Sequence, residues 1–83
     1  MSALPARLIS EDTMIFVKQL TGDGQTLRFT IERGERAGWI ACEGDGRSAP
    51  KTSVIRDWRH VEAAIALFER KASELRSEGW TEI

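Results

Sequence analysis

"TLRFTIE", residues 26–32, alternates apolar and polar side chains through its whole length: Leu27, Phe29 and Ile31 fall on one side, Arg28, Thr30 and Glu32 on the other. A period of two over seven residues belongs to a β-strand with one face on a core and the other toward solvent. The flanking sequence extends this pattern in both directions. Upstream, "MIFVKQL" (14–20) is rich in β-branched and aromatic residues, and "TGDGQ" (21–25) supplies the Gly and Asp residues that tolerate the positive φ of a tight reversal. Downstream, "RGERAG" (33–38) reverses the chain into "WIACE" (39–43), where Trp39, Ala41 and Glu43 share one face and Ile40 and Cys42 the other. Which of those faces points inward is ambiguous from sequence. After "GDGRSAP" (44–50), "KTSVIR" (51–56) reads as a shorter strand, with Pro50 ahead of its first ladder bond.

Periodicity changes from two to 3.6 after Asp57. Trp58, Val61, Ile65, Phe68, Ala72 and Leu75 follow at spacings of three and four and form one apolar stripe, while Arg59, Glu62, Glu69, Arg70, Glu74 and Arg76 form a solvated outer face. Asp57 is suited to cap the first turn, although His60 stands where a capping box needs Glu or Gln. Gly79 and Trp80 are placed to close the last turn in a Schellman motif. The expectation is an α+β domain: a four-stranded antiparallel β-meander packed on one C-terminal α-helix (ββββα), over residues 13–83, preceded by a separate N-terminal segment of residues 1–12.

Composition limits the choice of function. A chain of 83 residues is one small domain, and 41% hydrophobic with 30% charged residues is ordinary for a soluble globular protein. One cysteine, Cys42, makes no intramolecular disulfide and reads as a small buried strand residue in a cytoplasmic protein. No signal-peptide pattern and no run of 18 apolar residues is present, so no membrane association is expected. One Cys and one His do not make a structural zinc site. The "GDG" triplets at 22–24 and 44–46 read as turns, because each offers one Asp and neither leads into Lys-Ser/Thr and a helix. Nothing is spaced like a nucleophile with its base. The expected protein is no enzyme, with no cofactor, no metal and no small-molecule substrate.

The formal net charge of −1 is the wrong sign for a protein held by non-specific phosphate attraction. Its distribution is uneven, since residues 47–60 carry four Lys/Arg (Arg47, Lys51, Arg56 and Arg59) against Asp57 alone. Those four are the candidate nucleic-acid contacts. Alternation puts Lys51 and Arg56 on opposite faces of an ideal strand, which spreads the charge. The candidate protein contacts are Arg28 and Thr30, facing away from the apolar set, and Trp39, entering a strand after Gly38. A partner protein, or a second copy of the chain, docked on an open sheet face is the leading expectation, and nucleic acid is the alternative.

"DGR" at 45–47, Trp58, Ala64 and "EGWTE" at 78–82 together give residues 27–83 a resemblance to the WGR domain, the small sheet-plus-helix module of poly(ADP-ribose) polymerases and of stand-alone bacterial proteins. Asp45 stands where that family has its signature Trp, and Leu75 where a Lys is usual. The resemblance implies a non-catalytic module contacting nucleic acid or a neighbouring protein, with Gly46 and Arg47 as its matching signature residues.

Overall fold

The computed structural model describes residues 13–34 and 37–83. The separate segment expected over residues 1–12 lies outside the described residues. The chain runs β1 (Met14–Gly22), β2 (Gln25–Arg33), β3 (Trp39–Gly44), β4 (Lys51–Ile55), α1 (Trp58–Ser77) and β5 (Thr81–Glu82). It is the expected α+β arrangement, an antiparallel meander followed by one helix, with one short strand added. The sheet order is β4-β3-β2-β1-β5.

Each element follows from local chemistry. The β1–β2 hairpin turns at Asp23 and Gly24, with φ of 51° and 72°. Positive φ at both central residues matches the right-handed twist of the flanking strands. The ladder stays in register from Phe16↔Ile31 to Gly22↔Gln25 and is interrupted by a bulge between Met14 and Phe16. Ile15 is the extra residue there, so strict alternation fails at the start of β1.

The register resolves the ambiguity left in "WIACE". Ala41 pairs with Ile31 and Glu43 with Phe29, which sets Trp39, Ala41 and Glu43 on the same face as Leu27, Phe29 and Ile31. Helix α1 covers that face. Leu20, Phe29, Ile31 and Val61 are fully buried, and Phe68 and Ala72 bring the helix onto the sheet. The Phe68 ring lies 4.9 Å from that of Phe29 and 6.0 Å from that of Phe16. Ala72, completely buried, has no side chain beyond Cβ to hold the helix away.

The helix ends are built as their residue types suggest. The Asp57 carboxylate accepts from the Arg59 backbone N–H at 3.0 Å, satisfying one orphan donor of the first turn. At the other end, the Trp80 N–H donates to the Leu75 carbonyl and the Gly79 N–H to the Arg76 carbonyl, the paired bonds of a Schellman motif. Gly79 holds the φ of 104° that this geometry needs. The turn sends the chain back to β1, where Thr81 and Glu82 pair with Thr21 and Leu20. Trp80 then lies over Gly22: a Cβ at that glycine would sit 2.6 Å from the indole ring.

Trp58 departs from the expected stripe. It is 49% exposed, its ring meets Trp39 edge-on at 5.4 Å, and its indole N–H donates to Glu62. As the first residue of the helix it overhangs the end of the sheet.

Candidate partner-binding face

The two faces of the sheet differ in how their charges are satisfied. On the covered face, Lys18 is enclosed beside the core, and its ammonium group bonds Glu69 of α1 at 3.0 Å and lies 3.5 Å from Glu82 of β5. Arg76 joins Glu82 at 2.8 Å, and Lys71 of α1 bonds Glu43 of β3 at 2.9 Å. The Glu69 hydrogen bond, reinforced by both carboxylates, raises the Lys18 pKa above its ordinary 10.5 against the cost of burial.

The opposite face is covered by no described element. Cross-strand pairing aligns Val17, Thr30, Cys42 and Thr52 in one row across the four main strands. A second row joins Met14, Glu32, Ile40 and Val54, and a third joins Gln19, Arg28 and Gly44. Val17 is 49% exposed and Val54 66%. Thr30, near the middle of the central strand, is buried. Among the described residues, no ion pair engages Arg28 or Glu32, although Arg28 is exposed and Glu32 partly so.

Of the residues singled out from sequence for protein contact, Arg28 and Thr30 share this face. Trp39 does not. It lies on the helix side, half-buried against the core and Trp58, because register with Ile31 and Ile55 turns the odd-numbered residues of β3 inward. Cys42, expected in the core, emerges half-buried on the open face for the same reason. Val17 and Val54 were missed, although alternation in "MIFVKQL" places Val17 opposite Phe16 and Lys18.

The four basic residues of 47–60 are not brought together. Lys51 starts β4 on the helix side, paired with Glu43, whereas Arg56 and Arg59 lie past the far end of that strand. Five residues of β-strand separate those ends by roughly 16 Å. Arg47 sits in the β3–β4 turn, where the Asp45 carboxylate accepts from the backbone N–H groups of Arg47 and Ser48 at 2.9 and 3.0 Å. Those two bonds, the Ser48 one foremost, lower the Asp45 pKa from 3.8. The Asp45 side chain and the Arg47 backbone are thus engaged in closing a loop, with Gly46 at φ 80°.

His60 stands 3.8 Å from Asp57 and is mostly exposed. No group of three metal-ligating side chains occurs among the described residues, and no described helix is long and apolar enough to cross a membrane.

These features define a small sheet-plus-helix α+β domain with one sheet face covered and one uncovered by described elements. Comparison of the chain with protein-family models, with curated proteins and with solved structures finds no match.

Proposed function

We propose that this protein is a non-catalytic interaction module that binds a protein partner through the sheet face opposite α1. The observation that carries the reading is the combination of exposed β-branched residues, Val17 and Val54, with Arg28 and Glu32, which no ion pair engages among the described residues, on one sheet face. Val17 on β1 and Val54 on β4 mark the two sides of this face, with Ile40 and Cys42 partly buried between them, and apolar groups interspersed with polar ones are the composition of a protein interface. A β-sheet face also holds its side chains in fixed register, so little ordering entropy is lost on binding. The resemblance to WGR domains, which are non-catalytic, agrees with this reading.

The nucleic-acid alternative has less support, because Arg47 and Lys51 stand at one end of β4 and Arg56 and Arg59 at the other. The test compares the two surfaces. A partner captured by the wild-type protein and then purified should bind with an affinity reduced tenfold or more by Val17→Lys or Val54→Lys, and unchanged by Arg47→Ala plus Arg59→Ala. Labelled DNA and RNA should bind neither protein at low salt. Nucleic-acid binding that is lost in the arginine variant, and whose affinity falls by about 0.9 log units per log of salt for each phosphate engaged, would overturn the proposal.

A further inference from the structure

Resting on that reading of the open face, we propose that its occupant is a second copy of this chain, packed face to face about a twofold axis running across the strands along the Val17–Thr30–Cys42–Thr52 row. The argument is one of self-complementarity, which any isologous interface requires. Arg28 and Glu32 lie on β2, on the same face, each two residues from Thr30 and of opposite sign. A twofold axis through Thr30 reverses the strand and exchanges those two positions. Each Arg28 then faces Glu32 of the second copy, and two ion pairs form for one symmetry operation. Among the described residues no ion pair engages Arg28 or Glu32, whereas Lys18, Glu43, Glu69, Lys71, Arg76 and Glu82 on the covered side form ion pairs with one another.

Shape follows the same exchange. On β3 the axis passes through Cys42 and swaps Ile40 with Gly44, so each Ile40 lies over a residue that adds no side chain of its own. Strand spacing and rise give the face an area on the order of 600 Å2 per copy, near the roughly 800 Å2 per partner of specific complexes. The product is a two-sheet sandwich with its layers about 10 Å apart and each helix on an outer surface. A net charge of −1 leaves little repulsion between copies.

Sedimentation equilibrium from low micromolar to submillimolar protein is the deciding measurement. The wild type should reach the dimer mass. Arg28→Glu and Glu32→Arg should each shift the dissociation constant tenfold or more toward monomer, with circular dichroism unchanged. An equimolar mixture of the two variants should dimerise again, because one copy then offers two acids where the other offers two bases. Cys42, the single thiol, meets its own symmetry mate across the axis, so a short bis-maleimide should trap the wild-type dimer covalently. Single variants that dimerise like the wild type, or a mixture that stays monomeric, overturn the proposal. So does a wild-type protein that is monomeric throughout, and Cys42 reactivity then separates two cases. A fast-reacting thiol leaves the face available to a different protein, as proposed above; a slow one places the cover within the chain itself and removes that reading too.

Discussion

Lys18 is a lysine in a row of core positions, between Phe16 and Leu20, and what makes it tolerable is the pair of carboxylates, Glu69 and Glu82, that meet its ammonium group. Its raised pKa has a definite consequence for stability. The stabilisation is fully present below 10.5, the ordinary lysine value, and is lost as pH rises through the higher folded-state value. Stability should therefore fall more steeply above pH 10.5 in the wild type than in Lys18→Met, as followed by urea denaturation. Asp45 has the opposite sign: its stabilisation is present above 3.8 and lost as pH falls through the lowered folded value. At the helix start, Asp57→Ala should cost about 1 kcal/mol by leaving the Arg59 N–H without its acceptor. Both caps were legible in the sequence, because each depends on one residue type at one place. The partners of Lys18 were not, since Glu69 lies 51 residues away and reads locally as part of a solvated helix face.

At the scale of elements, what was legible was whatever had a period. The alternation in β2 and the stripe of α1 fixed which sides meet, and Val61, Phe68 and Ala72 are buried as that stripe implied. Phe68→Ala should cost about 3–5 kcal/mol, read from thermal or urea unfolding, since its ring fills the space between Phe16 and Phe29. The two-residue β5 has no period to read, and its partner strand is some sixty positions earlier in the chain. Its nearest sequence signal was Gly79–Trp80, which turns the chain back toward β1. The seat of Trp80 on Gly22 makes that return specific. Gly22→Ala should lose on the order of 1–3 kcal/mol, and the loss should shrink in a Trp80→Ala background, where the added methyl meets no ring. The candidate face was half legible: alternation put Arg28 and Thr30 outward, whereas the orientation of Trp39 and Cys42 waited on the β2–β3 register.

At the scale of the whole molecule, β5 is the one strand joined to the sheet by a connection distant in sequence, and it is held by few bonds. The Ile83 N–H to Gln19 carbonyl bond, at 2.8 Å, and the clasp of Lys18 and Arg76 on Glu82 are its anchors. Such a strand opens at lower free energy than the central ladder, so the amide of Ile83 should exchange with deuterium well before those of β2. Each opening bares the outer backbone edge of β1 at Gln19, Leu20 and Thr21, and a bare edge templates the addition of further strands. Glu82 is thereby a guard against fibril growth as much as a member of an ion pair: Glu82→Ala should hasten thioflavin-positive aggregation at temperatures where the domain is still folded.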